Sequence, residues 1–136
     1  MMNEALKVAL KAVEDKKALD VVVLDISGIA SFADFFLICS GDSSRQIQAI
    51  ADEVELKLKA GGFKTNHIEG YRSAQWVLLD FNDLVVHVFS KTARGYYDLE
   101  RLWRDARKLD TRKLMRPTTR RAAPRQTVKK KSPDTL

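Results

Sequence analysis

The sequence predicts an α/β (α+β) protein with a single mixed five-stranded sheet, flanking helices and the element order α-β-β-α-β-β-β-α. Two runs of apolar residues without alternation are typical of strands that are covered on both faces. Amphipathic stripes at helical spacing lie before, between and after the strand runs. The 136 residues are enough for one domain with a real core and too few for two.

The first part of the predicted core consists of one helix and two strands. Apolar residues at helical spacing predict a helix over about residues 3–16, with Asn3 as its N-cap. Residues 20–26 and 34–40 are apolar runs of strand length without alternation, which indicates interior strands. The connection between them is too short for a parallel crossover, so we expect antiparallel neighbours.

The clearest helix signal covers residues 43–60. Ser43 stands three residues before Gln46 in a capping-box pattern, and Gly61 with Gly62 supplies a C-terminal stop. An apolar stripe connects the two ends: Ile47, Ile50, Ala51, Val54 and Leu58. A helix of this length suits a parallel crossover between the second and third strands.

The rest of the core is predicted as an edge strand, a hairpin and a last helix. Residues 64–69 form a weak, polar strand typical of a sheet edge, and residues 75–80 and 84–89 flank a short turn as a hairpin. After a possible N-cap at Asp98, the last helix is marked by Leu99, Leu102, Trp103 and Ala106. Three helices cover five strands incompletely, so we expect part of the sheet or one edge to be open to a partner.

The positive charge of the chain is concentrated near its C-terminus. Residues 1–110 carry 15 Lys/Arg against 17 Asp/Glu, whereas residues 111–136 carry 9 Lys/Arg against one Asp. The second segment also holds all three prolines and few large apolar residues. We therefore predict a folded domain over 1–110 and a basic, disordered tail over 111–136. The net charge of +6 describes this tail rather than the domain.

Three sequence features lead us to expect a cytoplasmic protein. No apolar run approaches the roughly 20 residues of a membrane-spanning helix. The first residues lack an export or organelle signal. Cys39 is the single cysteine, so no internal disulfide can form and a reducing compartment is the default.

The ionisable residues do not form a catalytic or metal-binding motif. A two-metal nucleotidyltransferase needs carboxylates at i and i+2 on one strand face, but the sequence has no Asp-x-Asp, and Asp80 and Asp83 flank a turn. The soft ligands Cys39, His67 and His87 fall on three predicted strands without zinc spacing. The serine-rich start of the second helix could hold an anion, although capping explains it better. We predict no catalytic residue, no cofactor and no metal, and we expect His87 to be a hydrogen-bonded core or interface histidine.

A partner surface is the function that remains. Seven aromatic residues cluster late in the chain: Tyr71, Trp76, Phe81, Phe89, Tyr96, Tyr97 and Trp103. Five acidic residues lie close to them in sequence: Glu69, Asp80, Asp83, Asp98 and Glu100. Aromatic side chains beside carboxylates suit a patch that docks on a basic protein. Trp76 and Trp103 can also fill core between the last helix and the sheet, and that alternative stays open.

Four segments resemble one known family, the ribosomal silencing factors (RsfS, or Iojap-like proteins). They are residues 33–46, the pair Glu69-Gly70, residues 76–89 and residues 94–103. The matches follow one order and cover about residues 4–107, and the block over 76–89 followed by Tyr-x-Leu-Glu-x-Leu-Trp is highly specific. Asn82 stands where the family usually has glycine, which changes the hairpin turn.

The resemblance implies a nucleotidyltransferase-like fold without the transferase carboxylates, and so a binding protein rather than an enzyme. It also implies a partner, the large ribosomal subunit, bound through its fourteenth protein at the face that meets the small subunit. Occupying that face would block subunit joining and lower translation when nutrients are short. The alternative is a nucleotide-binding or nucleotidyltransferase enzyme of the same fold class.

On this interpretation we expect the docking residues to be Trp76, Asp80, Tyr97 and Glu100, with Glu69 as a further candidate. The basic tail is expected to add contacts to ribosomal RNA, because phosphate contacts release counterions. An exposed apolar patch is often shielded by self-association, so a homodimer is expected when the protein is free.

Overall fold

A computed structural model describes residues 3–115. The helices of this region are α1 (Glu4–Asp15), α2 (Ser44–Ala60), α3 (Lys91–Tyr97), α4 (Leu99–Leu102) and α5 (Thr111–Met115). The strands are β1 (Leu19–Asp25), β2 (Phe35–Gly41), β3 (His67–Glu69), β4 (Trp76–Asp80), β5 (Leu84–Ser90) and β6 (Arg107–Leu109). None of the helices within residues 3–115 has the length and apolar character needed to cross a membrane.

The strands form one mixed sheet in the order β3-β4-β5-β2-β1-β6. β2 and β5 pair in parallel at the centre, and every other neighbouring pair is antiparallel. The predicted antiparallel pairing of the first two strands and the predicted hairpin of β4 with β5 are confirmed. β3 runs in the same direction as β2, so α2 lies in a parallel crossover connection, as its length predicted.

Within residues 3–115 the sheet has six strands, so the prediction of five was wrong. The additional strand, β6, pairs antiparallel with the C-terminal half of β1. Two of its three residues, Arg107 and Lys108, are charged, so the segment has no apolar run of strand length. Its pairing depends on backbone hydrogen bonds with β1 that a side-chain pattern does not reveal. β6 covers the outer edge of β1. Both faces of β1 are covered as predicted, since the neighbouring residues Val23 and Leu24 are buried on opposite faces of the sheet.

The last predicted helix, marked by residues 99–106, is present only as the short α4, and a turn follows it over residues 103–106. The preceding helix α3 was not predicted. Asp98 has a left-handed backbone with a φ of 47°, and it ends α3 before α4 begins. Asp98 occupies the N-cap position of α4, as predicted, but its side chain makes no capping hydrogen bond. Trp103 and Ala106 still pack on the sheet, but from the turn that follows α4. Their apolar spacing reflects separate packing contacts rather than one continuous helix.

The sheet separates two apolar cores. α1 and α2 cover one face, where Leu6, Leu10 and the predicted stripe of α2 are buried. The opposite face packs under α3, α4 and residues 26–33. This second layer is incomplete over β4, where Trp76 and Leu78 are half-buried. The expectation of a partly open sheet is therefore met at this position.

The N-caps predicted for α1 and α2 are both confirmed. At the start of α2, Ser43 Oγ accepts the backbone N–H of Gln46 at 3.1 Å, and Gln46 Oε1 accepts the backbone N–H of Asp42 at 2.6 Å. The side-chain nitrogen Nε2 of Gln46 also donates to the backbone carbonyls of Lys16 and Lys17, which follow α1. These groups are engaged within the protein, which favours capping over the anion site considered for the same segment.

The folded part of the chain continues past residue 110. α5 packs against α1, and its Leu114 is buried in the core on that side of the sheet. The folded region therefore extends beyond the boundary drawn from the sequence. Residues 116–136, which hold most of the predicted basic tail, lie outside the described residues.

Candidate functional site

One side of β4 presents side chains that the helices leave partly uncovered. Successive side chains of a strand point to opposite faces, so Trp76, Leu78 and Asp80 share the face that carries α3 and α4. All three are half-buried, whereas Val77 and Leu79 are fully buried on the side of α1 and α2. The face of β4 that carries Trp76, Leu78 and Asp80 is therefore the candidate site.

An aromatic patch, which we define as Trp76, Tyr96 and Tyr97, lies at one end of this face. The ring centroids of Trp76 and Tyr97 are 4.8 Å apart, and Tyr96 stands edge-on to Tyr97 at 5.0 Å. Tyr97 is 51% exposed and Tyr96 is 80% exposed. Trp76 also packs on the buried ring of Phe89 at 5.0 Å. Trp76 thus contributes to the core and remains partly open to solvent.

His87 lies beside the indole of Trp76. Trp76 Nε1 donates a hydrogen bond to His87 Nδ1 at 3.1 Å, and the imidazole is buried. Burial lowers the pKa of His87 to about 3, so the ring is neutral at physiological pH. The expectation of a hydrogen-bonded core histidine is confirmed.

Two of the predicted acidic residues share the face of the aromatic patch. Asp80 lies at the other end of β4, about 13 Å from Trp76 at the usual rise of a strand. It accepts the backbone N–H of Asn82 in the hairpin turn at 2.8 Å. Glu69 is exposed on the edge strand β3, with Oε2 at 2.5 Å from Nε2 of His67. Carboxylates therefore lie on the same face as the aromatic patch, one at the other end of β4 and one on the neighbouring strand β3.

Glu100 is placed differently from the other predicted docking residues. Its carboxylate accepts Nε and Nη2 of Arg94 at 3.0 and 3.1 Å, and Arg94 Nη1 donates to Ser40 at 3.0 Å. This network lines a cleft of about 680 Å³ over β1 and β2, together with Lys91 and Lys108. Glu100 therefore ties α4 to α3 and to β2, on the side of these helices away from β4.

A tight loop between β3 and β4 fixes the position of Trp76, although our sequence reasoning gave the loop no role. Gly70 has a φ of 80°, and a Cβ atom there would lie 2.0 Å from the carbonyl oxygen of Trp76. Ala74 is buried with a φ of 55°, a left-handed conformation that costs about 1–2 kcal/mol without glycine. The hydroxyl of Tyr71 donates to Asp52 of α2 at 3.1 Å. The Gly70 of the family signature is the sequence signal for this close approach.

Phe32 is an exposed aromatic residue that sequence reasoning missed. It is 60% exposed in the connection between β1 and β2. Its ring lies 5.9 Å from that of Trp103 and 6.1 Å from that of the buried Phe36. A short connection without periodicity carries no burial pattern, so no sequence signal distinguishes this residue.

The described residues bring no three His, Cys, Asp or Glu side chains together as a possible metal site. Cys39 is buried in the core, and burial raises the pKa of its thiol to about 12. A thiol with this pKa is a poor nucleophile, so Cys39 acts as a small apolar side chain.

Comparison with known proteins identifies the family. Residues 1–135 match the family described as "Ribosomal silencing factor during starvation". The chain belongs to the ribosomal silencing factor family. A ribosomal silencing factor RsfS from Halalkalibacterium halodurans is 52% identical over 104 residues, which are 76% of this chain and 89% of that protein. A ribosomal silencing factor RsfS from Bacillus subtilis is 50% identical over 101 residues, which are 74% of this chain and 86% of that protein.

The fold is shared with a solved structure of a similar protein. A crystal structure of a protein from Chromobacterium violaceum matches with a TM-score of 0.75 at 40% identity, covering 81% of this chain and 91% of that one. The α+β class, with one mixed sheet and flanking helices, is therefore confirmed. The family resemblance seen in the sequence is also confirmed, while the nucleotidyltransferase-like assignment stays a prediction.

Proposed function

We propose that this ribosomal silencing factor binds the large ribosomal subunit at its subunit-joining face and sterically blocks association with the small subunit. Translation would then be repressed when nutrients are short, in agreement with the description of the family. The names of the relatives support a role on the ribosome. The structural observation that carries the proposal is the aromatic patch, where a half-buried tryptophan packs beside an exposed tyrosine.

The aromatic patch has the chemistry of a protein-docking hot spot. Trp and Tyr provide large, rigid contact surfaces and dominate many interfaces. The Trp76 side chain is already held by core contacts, so little of its freedom is lost when a partner covers it. Asp80 and Glu69 add negative charge on the same face, which suits a basic protein. We assign the fourteenth protein of the large subunit as the partner, contacted by Trp76, Tyr97 and Asp80, with Glu69 as a further contact.

Glu100 has an indirect part in this proposal. Both of its carboxylate oxygens are occupied by Arg94, which lies on α3. The same helix ends at Tyr97, one of the three residues of the aromatic patch. We therefore assign Glu100 to holding α3 and α4 in the arrangement that presents Tyr97.

The proposed mechanism needs no catalysis, cofactor or metal, because the protein acts by occupying a surface. The relatives carry the names of silencing factors rather than of enzymes, which agrees with this view. A factor of this kind acts where ribosomes translate, so we assign it to the cytoplasm. Residues 111–136 hold nine Lys/Arg, and we propose that they add sequence-independent contacts to ribosomal RNA near the docking site.

We also propose that the free protein forms a homodimer that shields the aromatic patch. Tyr96 and Tyr97 expose adjoining aromatic surface, and contiguous surface of this kind favours association. The dimer would then have to dissociate before the same patch could bind a large subunit. Analytical ultracentrifugation of the wild type and of a Tyr96→Ser variant tests this point, because the variant is expected to shift towards monomer.

The main test is a subunit-joining measurement with the full chain. Purified large and small subunits are mixed with excess protein, and the fraction of joined ribosomes is read from a sucrose gradient. We expect the wild type to reduce joining and to sediment with large subunits, and Trp76→Glu to lose both effects. Leu56→Glu is the matched control, since Leu56 is an exposed leucine on α2, across the sheet from the aromatic patch.

Unchanged subunit joining in excess wild-type protein would overturn the proposal. Circular dichroism and thermal melting must show that Trp76→Glu is folded before its loss of binding is interpreted. If that variant unfolds, Tyr97→Lys provides the same test at a more exposed residue. A folded Trp76→Glu variant that binds like the wild type would remove the aromatic patch from the docking site.

A further inference from the structure

His87 is a polar ring in apolar surroundings. It lies on the central strand β5, with ring centroids at 4.6 Å from Phe36 and 6.3 Å from Phe89. Its neighbours along the strand, Val86 and Val88, are fully buried. An apolar side chain at this position would avoid the cost of removing an imidazole from water.

The imidazole makes only part of the hydrogen bonding available to it. Nδ1 accepts from Trp76 Nε1, and an indole N–H can only donate, so Nδ1 carries no hydrogen and Nε2 carries it. Within residues 3–115, the buried Nε2 atom has no hydrogen-bond partner. A buried donor without a partner lowers the stability of a fold. Stability alone therefore does not explain a histidine at this position.

The hydrogen bond of His87 acts on the central residue of the aromatic patch. The indole of Trp76 is packed against His87, Phe89 and Tyr97, with centroid distances of 6.0, 5.0 and 4.8 Å. The terminal χ2 torsion of tryptophan is broad and roughly two-fold, so ring packing leaves more than one orientation of the indole open. A directional N–H···N hydrogen bond selects one of them.

We infer that His87 is a positioning residue for docking, which holds the Trp76 indole in the orientation that the partner contacts at a cost to fold stability. The binding consequence rests on the proposed function, but the orientation of the indole can be measured in the free protein. Burial keeps the pKa of His87 far below neutrality, so Nδ1 remains an acceptor under physiological conditions.

Two substitutions separate positioning from packing. His87→Leu keeps a large side chain at the site and removes the acceptor. His87→Asn keeps an acceptor near the position of Nδ1, but it brings an unpaired amide and empty space into the core. If His87 served packing alone, the affinity for large subunits would follow stability across the two variants.

If His87 instead positions the Trp76 indole, the more stable of the two variants should be the weaker binder. His87→Leu should melt at or above the wild-type temperature, yet bind large subunits about three- to tenfold more weakly, the effect expected when one side chain must be immobilised on binding. Folded His87→Asn should melt at a lower temperature and bind like the wild type. Should His87→Asn fail to fold, the comparison of His87→Leu with the wild type still decides the question.

A second measurement does not depend on the ribosome. The chain has two tryptophans, so a ¹H–¹⁵N NMR spectrum of the full chain shows two indole N–H signals, and Trp103 provides the internal reference. In His87→Leu, the Trp76 signal should move upfield and exchange faster with solvent, while the Trp103 signal changes much less. An unchanged Trp76 signal would overturn the inference, as would wild-type affinity of His87→Leu for large subunits. If the wild type itself does not bind large subunits, the proposed function fails, and the indole signals still report whether His87 orients Trp76.

Discussion

Both carboxylate oxygens of Glu100 are bound by the guanidinium group of Arg94, at 3.0 and 3.1 Å. The remaining guanidinium nitrogen donates to Ser40 of β2, so one arginine joins α4, α3 and the sheet. Bidentate, charge-assisted hydrogen bonds of this type are stronger than neutral hydrogen bonds. The side chain of Arg94 is 13% exposed, so loss of its partner would leave a largely buried charge without compensation.

Glu100→Gln is therefore expected to lower the free energy of unfolding by about 1–3 kcal/mol, because a neutral amide cannot compensate the guanidinium charge. Urea unfolding measures this change. Glu4→Gln is the matched control, since Glu4 is exposed and lies 4.0 Å from Lys7, and it should change stability by less than about 0.5 kcal/mol. Equal stabilities of the two variants would contradict the structural role of Glu100.

Substitution of two glycines by alanine should have effects of opposite sign. Gly70→Ala forces a methyl group to within 2.0 Å of a backbone oxygen at a φ of 80°, so we expect a loss of at least about 2 kcal/mol. At Gly95 of α3, an added Cβ has no neighbour within 4 Å among residues 3–115. Gly95→Ala should gain about 0.5–1 kcal/mol from reduced freedom of the unfolded chain. Thermal melting of the two variants checks the prediction, and a stable Gly70→Ala variant would be evidence against the tight loop.

The parts of the fold that the sequence predicted are those with a local physical signal. The apolar stripe of α2 lies on one face of a long helix, and the apolar runs of β1 and β2 are long enough to identify interior strands. β6 has no such signal, because its place in the sheet depends on a backbone partner more than 80 residues away, as the pairing of Asp25 with Arg107 shows. The break between α3 and α4 depends on the backbone of Asp98, which the apolar spacing did not reveal.

The candidate site was predicted in part for a similar reason. Aromatic clustering late in the chain indicated a patch, and the structure brings Trp76 and Tyr97 into contact. Sequence spacing does not say where a side chain points, so the engagement of Glu100 by Arg94 and of Trp76 by His87 could not be predicted. Both interactions join residues on different elements, and only the packed fold brings them together.

Stability is expected to fall between about pH 6 and pH 3 because of His87. Its pKa drops from 6.5 to about 3 on folding, so in this range the unfolded chain binds a proton that the folded chain does not. Above the pKa of His87 in the unfolded chain, the free energy of unfolding does not depend on this residue's protonation. Below that pKa, the free energy of unfolding decreases by up to about 1.4 kcal/mol for each pH unit.

His87→Leu removes this titration. The unfolding free energy of the variant minus that of the wild type should therefore increase as the pH is lowered from 7 to 4. Denaturant unfolding at several pH values measures the difference. A difference that stays constant over this range would show that His87 binds protons equally in the folded and unfolded states.

Asp80 provides a test of the charge of the partner surface. Asp80→Asn keeps a carbonyl acceptor for the backbone N–H of Asn82, so it should preserve the hairpin turn while removing the charge. Asp80→Lys reverses the charge, and we expect slower association with large subunits and a changed salt dependence. Stopped-flow association over a salt series measures both effects, with Asp80→Asn intermediate. If the two variants associate at the wild-type rate at low salt, the surface opposite Asp80 is not basic.

The last prediction concerns the basic segment that follows the described residues. Its removal should begin at residue 116, because Leu114 of α5 is buried and an earlier truncation would damage the core. Residues 116–136 hold seven Lys/Arg against one Asp. We expect the truncated protein to bind large subunits more weakly at low salt, with pelleting as the measurement.

The salt dependence identifies the reason for that loss. Each RNA phosphate that a basic residue contacts steepens the slope of log K against log salt concentration by about 0.7–0.9, so truncation should flatten the slope. A full-length variant with the seven basic residues changed to Gln keeps the length of the tether and should behave like the truncated protein. If the aromatic patch sets the docking position, as we propose, Trp76→Glu should still abolish the residual binding of the truncated chain. Because the tail is tethered to a bound domain, even weak phosphate contacts act at high effective concentration. Equal binding by the full-length and truncated proteins across the salt series would therefore exclude a role for the tail in docking.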